Sequence, residues 1–120
     1  MRSFEELVVW QKMSLLTVAV HGATARYPKD ERFGLVTQTR RSAVSVAANI
    51  AEGCGRRGAR EFARFVDIAL GSAYELESHL RVAAALGYLP SGSFESLKAD
   101  LDEVKRMLVG LAQSLQLRFR

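Results

Sequence analysis

Only one cysteine, Cys54, two prolines, two histidines and one tryptophan occur among the 120 residues. A lone cysteine excludes an intrachain disulfide and a cysteine-based zinc site, and it points to a reducing compartment. No apolar run approaches the ~20 residues that cross a bilayer. The opening Met1-Arg2-Ser3-Phe4-Glu5-Glu6 carries acids where a signal peptide needs an uninterrupted apolar stretch. The expected setting is therefore the cytoplasm, without membrane attachment. With 48% apolar and 25% charged residues the chain can bury a core, and its length suits one domain over residues 1–120.

What is abundant is arginine, which supplies 13 of the 17 basic residues. Between Arg26 and Arg64 nine basic residues face four acids, a local +5, while the rest of the chain is at −1. Guanidinium groups suit bidentate contacts to phosphate or carboxylate, so a polyanion or an acidic protein surface is the class of partner implied. The competing use is intramolecular pairing with Glu52, Glu61, Asp67 or Glu75.

Periodicity and punctuation predict four helices and no strand. Ser3-Phe4-Glu5-Glu6 fits a capping box, followed by Leu7, Val8, Trp10, Leu15, Val18 and Ala19, giving a helix over about residues 4–26 before Pro28. A second helix is expected over 31–53, with Val36, Thr39, Ala43, Val46 and Ile50 as its stripe. A third, with Gly58 as N-cap, runs to Leu86 through Phe62, Phe65, Ala69, Ser72, Leu76, His79 and Ala83. Gly87 and Pro90 end it. After Ser91-Gly92-Ser93 a fourth carries Phe94, Leu97, Leu101, Val104, Leu108, Leu111 and Leu115. Short connections imply an all-α, antiparallel up-down-up-down four-helix bundle.

The second helix has more small and uncharged faces than an isolated bundle requires. Val44, Ala47, Ala48 and Ala51 lie beside a stripe of Gln38, Ser42, Ser45, Asn49 and Glu52. This predicts a further interface and hence a homo-oligomer, the alternative being alanine as a good helix former on a wet face. Leu117 and Phe119, beyond the fourth stripe, point the same way.

Most chemical motifs fail on context. Gly53-Cys54-Gly55-Arg56-Arg57-Gly58 matches a dinucleotide-binding string but follows a helix, not a strand. A glycine-rich turn with Arg56, Arg57 and Arg60 is still able to hold a phosphate by amides and guanidinium groups. The Glu-x-x-His pairs of a di-iron bundle are missing, Cys54 has no histidine near it in sequence, and Glu75 with Glu77 makes no metal-dependent nuclease. Neither metal, cofactor nor catalytic residue is expected. Glu75 is placed to pair with Arg40 or Arg41, and Trp10 is a core or interface residue, the alternative being an aromatic beside arginines on which an unpaired base stacks.

Trp10-Gln11, Pro28-x-x-Glu31-x-x-Gly34-Leu35, Gln38-x-Arg40-Arg41-x-x-x-Ser45 and Asn49-Ile50-Ala51-Glu52-Gly53 continue into Phe62-x-x-Phe65-x-x-x-Ala69-x-Gly71-Ser72-x-x-Glu75. This series resembles the bacterial four-helix-bundle family that includes proteins encoded by intervening sequences inside 23S ribosomal RNA genes. More distantly it is similar to the accessory protein of diversity-generating retroelements. The resemblance implies a homopentamer around a central channel and, in the retroelement branch, a basic surface working with nucleic acid and a reverse transcriptase. It implies no established catalytic activity. Its recurring positions fall on Arg40, Arg41, Ser45, Asn49, Glu52, Gly53 and Glu75, for which an architectural role is expected: Asn49 and Glu52 tying the turn to the third helix, Gly53 permitting that turn, and Arg41 buried against Glu75. Val46-Ala47-Ala48 departs from the Ile-Pro of many relatives, and Gly58 from a serine cap.

The sequence thus predicts a non-enzymatic oligomer that binds RNA or DNA through Arg26, Arg40, Arg56, Arg57, Arg60 and Arg64. The alternative is a scaffold whose basic face docks an acidic protein.

Overall fold

The computed structural model describes residues 3–119, which leaves Met1, Arg2 and Arg120 outside it. Four helices follow one another, α1 (Val8–Thr24), α2 (Leu35–Cys54), α3 (Gly58–Ala85) and α4 (Ser91–Phe119). Single 3-10 turns occupy Phe4–Glu6 and Lys29–Glu31, and no strand occurs among the described residues. Helices α1 and α3 each pack on both α2 and α4, so the four close a ring around one core. The molecule measures 47 × 23 × 21 Å, its long axis close to the ~42 Å of a 28-residue helix.

The core is lined by apolar side chains from all four helices: Met13 and Val20 of α1, Val46 and Ile50 of α2, Val66, Leu76 and Leu80 of α3, and Leu101 and Leu108 of α4, all wholly buried. On α2 and α4 the expected stripes are the buried ones. On α1 they are not. The buried face is Val9, Met13, Leu16, Val20 and Thr24, whereas Val8, Leu15 and Val18 are 54%, 73% and 70% exposed. Helix α1 is apolar on two faces, and periodicity alone selected the outer one. On α3 Phe65, Ala69, Leu76 and Ala83 of the expected stripe are buried, joined by Ala63, Val66, Ala73 and Leu80, while Leu86 is exposed.

The helix ends differ from expectation in instructive ways. Ser3 Oγ accepts from the Glu5 amide at 3.3 Å, capping a 3-10 turn, and Leu7 is extended before α1 begins. The capping box therefore does not form. The second helix starts four residues late because Lys29–Glu31 closes its own 3-10 turn. Arg57, rather than Gly58, is the N-cap of α3, with Gly58 at φ +81°. At the other end of α3 the expectation holds: Gly87 has φ +80°, its amide reaches Ala84 O at 3.1 Å and the Tyr88 amide reaches Ala83 O at 3.0 Å. This is the paired bonding of a Schellman motif.

Gly53 does not make the turn. It is buried inside α2, and a Cβ there would lie 2.7 Å from Phe65 Cβ and 3.0 Å from Phe62 Cδ1. Its role is to let α2 and α3 approach closely at this end. Farther along the same contact, Ser45 Oγ lies 2.9 Å from Ser72 Oγ. Asn49 Nδ2 donates to Ser45 O at 2.8 Å and to Ser45 Oγ at 3.1 Å. Asn49 thus reaches α3 through Ser45 and, among the described residues, makes no hydrogen bond to the turn itself.

Candidate nucleic-acid interface

The arginines expected to form one surface are divided between the two ends of α2, a helix of 20 residues and therefore about 30 Å long. In its second turn Arg40 is half-buried. Its Nε donates to Thr24 Oγ1 at 2.9 Å and a terminal nitrogen donates to His21 O at 3.2 Å. It holds the carbonyl end of α1 against α2, where a cation also complements the helix dipole. Arg26 is exposed nearby. These two do not join the remaining four.

At the far end, Arg56, Arg57, Arg60 and Arg64 are all exposed around the α2–α3 turn. Two aromatic rings organise them. The Arg56 and Arg64 guanidinium carbons lie 5.1 and 4.6 Å from the Phe65 ring centroid, and that of Arg60 lies 4.7 Å from the Phe119 ring. Such contacts hold a cation in place while leaving its hydrogen-bonding edge available. Arg56 pairs with Glu52 at 2.7 Å and Arg64 with Glu61 at 3.1 Å. Both pairs lie within one helical turn on an open surface, where such bridges are weak and exchangeable. The Arg64 hydrogen bond holds the Glu61 carboxyl below its ordinary range, and the same bond raises the Arg64 guanidinium. Among the described residues Arg57 has neither an ion-pair partner nor a ring contact.

Arg118, on the last turn of α4, lies with Arg56 along a cleft of about 460 Å³ at this end. Sequence reasoning missed Arg118 and the supporting Phe65 and Phe119. The adjacency of Arg64 and Phe65 was a local signal, but nothing local links Arg60 to a ring 59 positions away.

The remaining expected site residues are placed as follows. Arg41 is exposed, and Glu75 lies 3.4 Å from His79 Nε2. The anticipated burial of Arg41 against Glu75 does not occur, because both residues are exposed and Glu75 meets His79 on its own helix. Trp10 is half-buried, meeting Phe4 edge-on with ring centroids 5.0 Å apart. Glu52 faces Arg56, and Gly53 is the close-approach glycine beneath Phe65. Among the described residues no group of three or more His, Cys, Asp or Glu side chains is placed to hold a metal ion. No helix there is long and apolar enough to cross a membrane.

Fold and surface together define an all-α four-helix protein with an arginine-rich end carried on aromatic rings. The family model for 23S rRNA-intervening sequence protein matches residues 5–110, and the chain belongs to that family. It is similar to a Bacteroides thetaiotaomicron protein with unknown function from the S23 ribosomal protein family, solved by crystallography. The TM-score is 0.79 at 25% identity, covering 88% of this chain and 98% of that one. No curated protein matches.

Proposed function

We propose that the chain is an antiparallel up-down-up-down bundle that assembles into a cytoplasmic homo-oligomer and binds RNA or DNA, without catalysis, through its arginine end. The antiparallel arrangement is supported by cross-helix pairs: Gly53 with Phe65 and Ser45 with Ser72 between α2 and α3, then Glu77 with Lys105 and Arg81 with Phe94 between α3 and α4. In each, rising numbers on one helix meet falling numbers on the next. Assembly is supported by the exposed apolar face of α1, Val8, Leu15 and Val18, with half-exposed Val44 on α2. The family resemblance gives the number five and, for the retroelement-like branch, a reverse transcriptase as a protein partner.

The observation that carries nucleic-acid binding is the set of arginines at one end, three of them seated on Phe65 or Phe119. Seated guanidinium groups lose less freedom on meeting a phosphate than unsupported ones. Five copies would raise the net charge from +4 to +20, so affinity falls steeply with salt as counterions are released.

The test is fluorescence anisotropy of labelled structured RNA and matched DNA over a range of salt, using the wild type and an Arg56→Ala/Arg57→Ala/Arg60→Ala variant. Binding with a steep salt slope that the variant flattens by about 0.7–0.9 per lost phosphate contact is expected. If neither nucleic acid binds at low salt, the reading fails, and the arginines serve to dock an acidic protein instead.

A further inference from the structure

The lining of the cleft beside Arg56 and Arg118 is both apolar and polar. Leu7, Phe62, Leu111 and Leu115 supply apolar surface, and Ser114 and the two arginines supply polar surface. No carboxylate lines it. Its volume, about 460 Å³, falls in the ~300–1,000 Å³ range of clefts that accept small organic groups.

We propose that this cleft receives an unpaired base of the bound nucleic acid, with the adjoining phosphate held between Arg56 and Arg118. The proposal rests on the nucleic-acid reading above and assigns it a substrate class, single-stranded ends or loops. A free phosphate is a poor occupant, because four apolar side chains would strip its water without replacing the hydrogen bonds. An apolar peptide leaves Arg118, which has no ion pair among the described residues, without a counter-charge and offers Arg56 nothing in exchange for Glu52. A nucleotide suits both kinds of lining: the base covers apolar surface and meets the Phe62 ring, as bases do on aromatic platforms, while its phosphate meets the arginines. A base inside a duplex is already stacked and paired, so only an unpaired one can enter.

The experiment compares two hairpin RNAs of equal charge, one with a two-uridine 3′ overhang and one whose overhang sugars are abasic. Binding is followed by anisotropy at several salt concentrations with the full chain. The wild type is expected to favour the uridine overhang by about tenfold. Ser114→Phe, which fills the cleft from an exposed position, is expected to abolish that preference while leaving the abasic affinity and its salt slope unchanged. Ala59→Leu fills it from the α3 side and gives the same result if Ser114→Phe is poorly folded by circular dichroism. Equal wild-type affinity for both RNAs, or a preference that survives both variants, overturns the cleft and leaves phosphate binding standing. Failure of both RNAs to bind overturns the parent reading as well.

Discussion

Replacing Gly53 by alanine adds one methyl group to the middle of a tight helix contact. In an open helix the same change stabilises by about 1 kcal/mol, because alanine surrenders less backbone freedom than glycine. At Gly53 the new Cβ would meet Phe65 Cβ at 2.7 Å, Phe62 Cδ1 at 3.0 Å and Phe62 O at 3.3 Å. The Phe62 ring can rotate away, but Phe65 Cβ is fixed to its backbone, so α3 itself must shift. Overpacking of this kind costs about 1–3 kcal/mol, and displacing a helix belongs at the upper end. The net expectation is destabilisation by about 1–2 kcal/mol, or a Tm lower by roughly 4–8 °C for a domain of this size. The control is Gly71→Ala on the exposed face of α3, where nothing lies within 4 Å of the added Cβ, and which is expected to gain up to about 1 kcal/mol. Urea unfolding at one fixed protein concentration reads both, since assembly would shift apparent stability. If the two variants change stability in the same direction and by similar amounts, the close approach of α2 and α3 at Gly53 is refuted.

Tyr27 is buried and its hydroxyl has no hydrogen-bond partner among the described residues, so Tyr27→Phe is expected to leave stability unchanged or raise it by up to about 1 kcal/mol in urea unfolding. Ser45→Ala and Ser72→Ala should each lower stability by about 1 kcal/mol, and a double-mutant cycle should show coupling because they share the 2.9 Å bond. Hydrogen bonds from Lys105, then Arg81, hold the Glu77 carboxyl below its ordinary 4.5. A depressed carboxylate stabilises the fold fully above the unfolded value and loses that contribution as pH falls through the folded one. The stability–pH curve should therefore drop below about pH 4.5, and Glu77→Gln should make that drop shallower in acid titrations followed by circular dichroism.

The four helices were legible because most of the large apolar residues of α2 and α4 gather on one face, so period and burial agree. Helix α1 misled because Val8, Leu15 and Val18 are as apolar as Val9, Leu16 and Val20. A second apolar face leaves the period alone unable to say which one enters the core. Gly53 was misread for a related reason: a glycine near a turn suggests the turn, whereas the constraint comes from Phe62 and Phe65 on another helix. The arginine end was half legible. Arg56, Arg57, Arg60 and Arg64 are close in sequence and stay close in space, but Arg40 follows α2 to the opposite end and locks Thr24 and His21. Arg118 and Phe119 join only when α4 returns alongside α3, a tertiary fact with no local trace.

In the function proposed above, one end of the bundle, and not its overall charge, binds the phosphate backbone. The most direct measurement is the salt slope of RNA affinity for two charge-matched variants, Arg57→Ala/Arg60→Ala at the α2–α3 turn and Arg26→Ala/Arg32→Ala at the opposite end. The slope should fall by about 0.7–0.9 per lost contact in the first and hold its wild-type value in the second. Equal losses in both would mean that net charge alone drives binding, which contradicts the account.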